Sequence, residues 1–330
     1  MNILFITSSR IGDAVLSTGL LNHIQTRWPA AKVTIACGTL AVSLFDGYPL
    51  RARTIAMKKE KYNKHWIKLW RQVIATRWDM VIDLRDSAVS RLVWAGQRYI
   101  FSPRLNKDKK LHKAEQNAAV MGLENVPDPK LWFSAAQTEK AAHLIPDGAP
   151  VLGVGPTANW IGKTWPAERF IETVSWLTAP DGYMAGARVA VFGAPGEEEE
   201  AHKVLQSIPE ERRLDIIAKT DPGTAAATIA RCDFYIGNDS GLMHCAAAAG
   251  VPTLGLFGPS YDSVYRPWGT HAHFVRTPES FDELIDFEGY DPKTLTKTLM
   301  GSLTLEAVQS ALDEMFLEQK NKAPKTSASL

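Results

Sequence analysis

Along most of this chain, apolar runs typical of buried strands alternate with segments whose apolar residues recur at helical spacing. In the first half, strands are predicted near 2–7, 32–37 and 79–84, with helices near 14–28 and 61–77. After the segment 146–150, strands are predicted near 151–154, 188–192, 214–218, 233–236 and 253–257, separated by helices. This alternation predicts an α/β protein with parallel sheets.

Two units of similar size account for the pattern. The Pro- and Gly-containing segment 146–150 is a candidate linker, so we expect Rossmann-like domains at 1–148 and 149–303. An amphipathic segment at 304–320 predicts a final helix, which we expect to pack back toward the first domain. The polar tail 321–330 is expected to be disordered.

The net charge of +1 conceals an uneven distribution. Residues 1–150 contain 22 Lys and Arg against 12 Asp and Glu, whereas the rest of the chain contains 15 against 24. A basic first half predicts an anionic partner. No apolar run reaches the roughly 20 residues of a membrane span. Strand-like sequence at residue 2 argues against a signal peptide, and three scattered cysteines in apolar contexts indicate buried thiols in a reducing compartment.

The segment 237–259 carries the strongest functional signal. A buried strand leads into the polar turn Asn238-Asp239-Ser240-Gly241, which opens an alanine-rich helix. The backbone N–H groups and the helix dipole at such a turn suit a phosphate or diphosphate. His244 lies about one helical turn further on and can face the same anion. The alternative is that Asp239 or Ser240 is an ordinary N-cap.

A second polar loop follows the first strand. Residues 8–13 place Gly12 at the tight point and Asp13 at the start of a helix. In a βαβ unit this loop lies at the carboxyl edge of the sheet, where ligands bind, so Asp13 is expected at the mouth of a crevice. The alternative role for Asp13 is again helix N-cap.

The mid-chain loop has two interpretations. Gly153-Val-Gly155-Pro-Thr-Ala158 fits a dinucleotide-binding motif, but no helix is predicted at its third position, and no acidic residue ends the next strand. A phosphate cradle fits better, because Thr157 and nearby backbone can donate hydrogen bonds and Lys163 brings a mobile positive charge. A solvated loop lysine is the alternative for Lys163.

Metal-ligand patterns are missing from the sequence. No Asp-x-Asp occurs, and the histidines are not at ligand spacing with carboxylates, so no metal and no cofactor are expected. Basic residues of the first half form two clusters, one on a predicted helix and one beyond residue 103. They are Lys61, Lys64, Lys68 and Arg71, then Arg104, Lys107, Lys109, Lys110 and Lys113, with Arg85, Arg91 and Arg98 between. Together they suit a phosphorylated or membrane-surface acceptor, and not nucleic acid.

Three of these motifs, taken in order, resemble the lipopolysaccharide heptosyltransferases of glycosyltransferase family 9. They are Arg10-Ile11-Gly12-Asp13, Lys163-x-Trp165-Pro166 and Asn238-Asp239-Ser240-Gly241-x-x-His244, and the resemblance covers roughly residues 1–320. It implies the GT-B fold, in which two Rossmann-like domains face a central cleft. It also implies inverting, metal-independent transfer of a sugar from a nucleotide diphosphate.

The resemblance also implies roles for individual residues. Asp13 is expected to be the general base, and Lys163 to stabilise the departing diphosphate. The expected nucleotide-sugar site comprises Thr157, Lys163, Glu197, Thr220, Asp239, Ser240, Gly241 and His244. The expected acceptor-binding residues are Arg10, Lys61, Lys64, Lys68, Arg85, Arg104 and Lys109.

The resulting hypothesis is transfer of a heptose from an ADP-sugar to the lipopolysaccharide inner core. The enzyme is expected in the cytoplasm, with peripheral contact with the inner membrane. Because Gly193-Ala194 and the 156–162 loop depart from the family pattern, another nucleotide sugar stays open. Two further alternatives are a nucleotide-sugar epimerase and a two-domain sugar-binding protein.

Overall fold

The computed structural model describes residues 1–106 and 110–322. The strands in this part of the chain are β1 Asn2–Ile6, β2 Lys32–Gly38, β3 Arg51–Met57, β4 Trp78–Asp83, β5 Ala95–Ile100, β6 Val151–Gly155, β7 Arg188–Val191, β8 Arg213–Asp215, β9 Phe234–Asn238, β10 Thr253–Phe257 and β11 Ala272–Arg276. The helices are α1 Ile11–Arg27, α2 Lys64–Val73, α3 Val89–Leu92, α4 Lys113–Val120, α5 Ala135–Leu144, α6 Ala167–Thr178, α7 Glu198–Ser207, α8 Pro222–Ile229, α9 Gly241–Ala248, α10 Asp262–Tyr265, α11 Phe281–Ile285 and α12 Leu305–Lys322. Short 3-10 turns lie at Thr39–Phe45, Lys61–Asn63, Pro103–Asn106, Ile161–Lys163 and Glu210–Arg212.

The first sheet has the order β3-β2-β1-β4-β5, and all its strands are parallel. Alternate residues of β1 enter different cores, because successive side chains of a strand point to opposite faces. Ile3 and Phe5 pack with α1, whereas Leu4 and Ile6 pack with α2 and α3. The two helical layers therefore cover opposite faces of this sheet.

The sequence pattern did not predict the outer strands β3, β5 and β11. β3 has a single buried residue, Ile55, and β5 and β11 have none. Each is the edge strand of its sheet, so it lacks the continuous apolar run of a strand buried on both faces.

The second sheet has the order β11-β10-β9-β6-β7-β8 and is also parallel. Strand order reverses between β6 and β9, just as it reverses between β1 and β4 in the first sheet. Ligands of open α/β sheets bind at such reversal points, outside the carboxyl ends of the strands. The two α/β units confirm the predicted fold class, and the predicted boundary at 148–149 falls between the sheets and stays a prediction.

The two units touch through their helices. Helix α1 packs on α9, and one buried core joins residues of both units, including Val15 and Met243. Hydrogen bonds also cross between them: His112 Nε2 with the Arg266 carbonyl at 2.8 Å, and Trp268 Nε1 to Asp128 Oδ1 at 2.8 Å. These contacts hold the two units against each other, with α1 packed on α9.

Helix α12 packs on the second unit. Val308, Leu312 and Met315 enter the core of that unit, and the Phe316 ring stacks on Phe234 of β9 at 4.9 Å between centroids. The expectation that the final helix returns to the first unit is therefore wrong, because its apolar stripe is already buried against α6 and β11. The helix also continues through residue 322, and the rest of the predicted tail lies outside the described residues.

In the part of the chain that the structure describes, no helix combines the length and the apolar character needed to cross a bilayer.

Candidate active site

Asp13 lies in the first turn of α1, at the reversal point of the first sheet. Arg10 is the N-cap residue, so the alternative that Asp13 caps the helix does not hold. Asp13 Oδ2 accepts a long hydrogen bond from Ser8 Oγ at 3.4 Å. Its Oδ1 is buried and has no hydrogen-bond partner among the described residues. A carboxylate held this loosely has an oxygen available to accept a proton.

Opposite Asp13, three side chains gather at the reversal point of the second sheet. Lys163 Nζ lies 2.5 Å from Asp239 Oδ2, and His244 Nε2 lies 4.0 Å from Asp239 Oδ1. The side chains of Lys163, Asp239 and His244 are 21%, 7% and 4% exposed. A cation and an imidazole are thus placed beside the N-terminus of α9, which suits binding of a diphosphate.

The surroundings of His244 favour the neutral form of its imidazole. Burial lowers the pKa of its imidazole, and the nearby carboxylates of Asp239 and Asp13 oppose this only in part. Its Nδ1 is buried without a partner in the described chain. A neutral imidazole carries one N–H, so His244 can give a hydrogen bond to an anion without adding charge.

The first turns of α1 and α9, which carry Asp13 and His244, are in van der Waals contact. A Cβ placed on Gly12 would lie 2.8 Å from His244 Cδ2, and one on Gly241 would lie 2.7 Å from Ile11 Cγ2. Because neither position has a side chain, the His244 ring can pack on the backbone at Gly12 and the Ile11 side chain on the backbone at Gly241. The structure therefore brings the N-terminal and C-terminal motifs of the sequence into one site.

Asn238 positions the loop that carries Lys163. Its side chain is fully buried; Oδ1 accepts from the Trp165 amide at 3.1 Å, and Nδ2 donates to the Pro156 carbonyl at 2.8 Å. Both ends of the mid-chain loop are thereby tied to β9. No role was predicted for Asn238 itself, although it stands inside the polar turn.

The glycine pair of the rejected dinucleotide motif has a packing role. Gly153 and Gly155 face the buried ring of Tyr235 on β9, and a Cβ on Gly153 would lie 2.9 Å from Tyr235 Cδ2. The next helix begins only at Ala167. The motif therefore lacks the helix N-terminus that holds the pyrophosphate in dinucleotide-binding folds.

The other residues predicted to bind the nucleotide sugar differ in what they contact. Thr157 is buried at the end of β6 and donates to Glu197 Oε2 at 2.6 Å, and the Ala194 amide donates to the same oxygen at 3.1 Å. Ser240 is the N-cap of α9, so the N-cap alternative is correct for this residue. Thr220 lies on the loop after β8, and no described contact links it to Lys163.

Positive charges of the first unit act on the surroundings of Asp13. Lys113 Nζ donates to Gln116 Oε1 at 3.3 Å and lies 4.6 Å from the centroid of the Phe101 ring. Burial lowers the pKa of Lys113, and the charge of Asp13 opposes that shift while the charge of Arg85 adds to it.

Arg10 and Asp13 both act on the hydroxyl of Tyr265, whose pKa burial and Asp13 raise to about 12. Lys113 and Tyr265 were not among the predicted site residues, because only the folding of distant segments brings them to Asp13.

The other predicted acceptor residues lie outside this group. Arg104 is exposed on its 3-10 turn, and Lys109 lies outside the described residues. Lys61, Lys64 and Lys68 are exposed at the start and on the outer side of α2, across the sheet from α1, and Lys68 pairs with Glu60.

Among the described residues, no group of three or more His, Cys, Asp or Glu side chains could hold a metal ion.

Comparisons with known proteins agree with this arrangement. A sequence model of glycosyltransferase family 9 (heptosyltransferase) matches residues 66–289. Lipooligosaccharide heptosyltransferase 2 of Haemophilus influenzae is 26% identical, over 96% of this chain and 99% of that protein. A family 9 glycosyl transferase from Veillonella parvula superposes with a TM-score of 0.75 at 21% identity, covering 96% of this chain and 97% of that one.

The ADP-heptose lps heptosyltransferase II of Escherichia coli superposes with a TM-score of 0.72 at 22% identity, over 97% of this chain and all of that one. These folds have the GT-B arrangement that the facing sheets display. The family model covers well over half of the chain. The chain therefore belongs to glycosyltransferase family 9 and is a glycosyltransferase.

Proposed function

We propose that this glycosyltransferase moves a heptose from ADP-heptose to the anionic inner core of lipopolysaccharide, with inversion and without a metal ion. The names of the relatives supply the donor and the acceptor. The observation that carries the proposal is the placement of Asp13, with one unpartnered oxygen, opposite Lys163 and His244. A base and a diphosphate site on opposite walls of a cleft suit a single displacement at the carbon between them.

In the proposed reaction, the acceptor hydroxyl oxygen attacks the anomeric carbon as the bond from that carbon to the diphosphate oxygen breaks. The hydroxyl proton passes to the Asp13 carboxylate. Negative charge grows on the departing ADP, where the Lys163 ammonium, the His244 N–H and the amides at the start of α9 stabilise it. Because Lys163 supplies fixed positive charge, the diphosphate needs no divalent ion.

Asp239 has an orienting role in this proposal. Its carboxylate holds Lys163 Nζ at 2.5 Å while itself only 7% exposed, so it fixes the ammonium at the reversal point of the sheet. Thr157 and Glu197 form the adjoining wall of the donor pocket. On the other wall, Arg10, Arg85 and Lys113 supply the charge that an acceptor phosphate would meet.

The proposal is tested by measuring heptose transfer from ADP-heptose to an inner-core acceptor with EDTA present throughout. We expect full activity in EDTA and an inverted anomeric configuration in the product. Asp13→Asn should lower kcat by about 10²–10⁴-fold, the usual contribution of a general base. Its ADP affinity should stay unchanged. Asp181→Asn removes an exposed carboxylate elsewhere and serves as the control.

Lys163→Met should weaken ADP binding about 10- to 100-fold, which corresponds to the loss of a charge-assisted hydrogen bond. Calorimetric titration with ADP, UDP, GDP and NAD identifies the nucleotide. Preference for UDP or GDP would replace the donor and keep the reaction type. Turnover of the donor without acceptor would indicate an epimerase instead, and full transfer by Asp13→Asn would refute the base.

A further inference from the structure

The outer surface of the first unit carries an unusual set of exposed apolar side chains. Tyr62 is 89% exposed and Trp94 is 74% exposed, with Ile67 and Leu92 more than half exposed between them. They lie on the 3-10 turn before α2, on α2 itself, and on the segment around α3. We call this surface, residues 61–71 together with 91–94, the outer face. Large apolar side chains clustered at a surface mark a site of interaction.

Helix α2 presents both apolar and basic side chains at this surface. Leu69 and Val73 point into the core, because they are the buried residues of the helix. At about 100° per residue, Lys64 and Arg71 then project outward, and Ile67 lies beside them. Trp70 faces α3 and donates from Nε1 to the Leu92 carbonyl at 3.3 Å. This hydrogen bond joins the two elements, so the outer face is a continuous surface.

The charge of this region is strongly positive. Residues 58–98 contain ten Lys and Arg against four Asp and Glu. Glu60 pairs with Lys68, and Asp86 pairs with Arg91. Lys64 and Arg71 make no ion pair with any residue that the structure describes, so their charge is directed toward solvent.

We propose that the outer face binds the surface of an anionic phospholipid bilayer. Trp and Tyr prefer the membrane–water interface because they combine an apolar ring with a polar group. Lys and Arg beside them gain from the negative potential of anionic headgroups. A protein partner is less suited, because the apolar side chains are separated by cations, whereas protein interfaces have cores depleted of charged residues.

The outer face covers the layer of α2 and α3 on one face of the first sheet. It runs from Tyr62, beyond the carboxyl end of β3, to Trp94, directly before the amino end of β5, so only its Tyr62 end lies near the loop that follows β1. The turn that carries Tyr62 follows the carboxyl end of β3, and the loop that carries Asp13 follows the carboxyl end of β1. Both therefore lie at the same edge of one parallel sheet. This assigns Lys61 and Lys64 to lipid headgroups and leaves the acceptor to the cations beside Asp13. The surface is separate from the catalytic groups, so the proposal does not depend on the identity of the donor.

The test is sedimentation of the full chain with vesicles of phosphatidylcholine alone or mixed with phosphatidylglycerol. We expect binding to the anionic vesicles that weakens as salt increases, since salt screens exposed charges. Lys64→Glu with Arg71→Glu should lower the vesicle partition coefficient at least about tenfold, because each basic residue at such a surface contributes roughly fivefold. Lys140→Glu with Lys293→Glu makes the same charge change at exposed positions elsewhere and should bind normally.

A second variant tests the contribution of the apolar side chains of the outer face. Ile67→Ser, Leu92→Ser and Trp94→Ser together should lower partition by about tenfold or more, the loss expected when one large buried side chain is removed. Because all three residues are exposed, the folded structure and transfer to a short soluble acceptor should be unchanged. Wild-type failure to bind anionic vesicles, or normal binding by both variants, would overturn the proposal. So would a dimer in analytical ultracentrifugation that the serine variant abolishes.

Discussion

Asn238→Ala tests whether the side chain of Asn238 positions the loop that carries Lys163. The substitution removes two buried hydrogen bonds, one from the Trp165 amide and one to the Pro156 carbonyl. Each backbone group is left buried without a partner, at a cost of about 1–3 kcal/mol. The expected loss in the free energy of unfolding is therefore about 2–5 kcal/mol.

Urea denaturation measures that loss, and calorimetry measures ADP affinity in the same preparation. We expect the affinity to fall toward that of Lys163→Met, because the ammonium no longer has a fixed position. Asn238→Asp separates the two bonds: it keeps an acceptor for Trp165 but places a carboxylate oxygen against the Pro156 carbonyl, so it should be as damaging as alanine. Asn22→Ala is the control, since the Asn22 side chain donates to the Asp128 carbonyl at 3.2 Å at an exposed site.

Two outcomes would refute this reasoning. If Asn238→Ala loses less than about 0.5 kcal/mol, as a surface substitution does, the two bonds are not maintained by Asn238. If stability falls but ADP binds as before, other contacts position Lys163.

Three further expectations follow from the described contacts. Gly241→Ala forces a methyl group against Ile11, so it should lower stability by about 1–3 kcal/mol and reduce transfer more than ADP binding, whereas Gly301→Ala, which meets no neighbour, should do neither. Burial lowers the pKa of His112 to about 4 from an ordinary 6.5, so the unfolded chain binds the proton at a higher pH than the folded protein does. The free energy of unfolding should therefore fall by about 3 kcal/mol as pH falls from 6.5 to 4. Urea titrations of His112→Gln over the same pH range should show a smaller fall. The three cysteines are buried and burial raises their pKa, so a thiol reagent should label none in the native protein and all after unfolding.

Strands buried on both faces could be predicted from this sequence, whereas of the four edge strands in the described residues only β8 was predicted. β1, β2 and β4 are apolar on both faces and stand out as runs, whereas β3 and β5 are mostly exposed and have polar residues, including arginines, within them. The sequence pattern also could not show which unit α12 packs against. Its apolar stripe shows that it packs on something, but only the three-dimensional structure shows that Phe316 meets Phe234.

Some residues of the candidate site could likewise be predicted from the sequence, and others could not. Asp13, Lys163 and His244 could be proposed because each follows a buried strand, where parallel sheets place their ligand-binding loops. The contributions of Lys113, Tyr265 and Asn238 depend on contacts between segments far apart in the chain. Lys110 and Lys113 look alike in sequence, yet Lys110 is exposed, whereas burial lowers the pKa of Lys113.

The placement of base and diphosphate site on separate units makes activity depend on how the units are joined. Asp13 belongs to α1 and His244 to α9. These helices touch at Gly12 and Gly241, where neither residue has a side chain that would hold the helices apart. The cross-unit hydrogen bond of His112 to the Arg266 carbonyl lies nearby and adds to that junction. A methyl group on Gly241 should therefore leave both half-sites intact and still reduce transfer, because it presses on Ile11 and changes the distance between them. One on Gly12 should also weaken ADP binding, because it presses on the His244 ring.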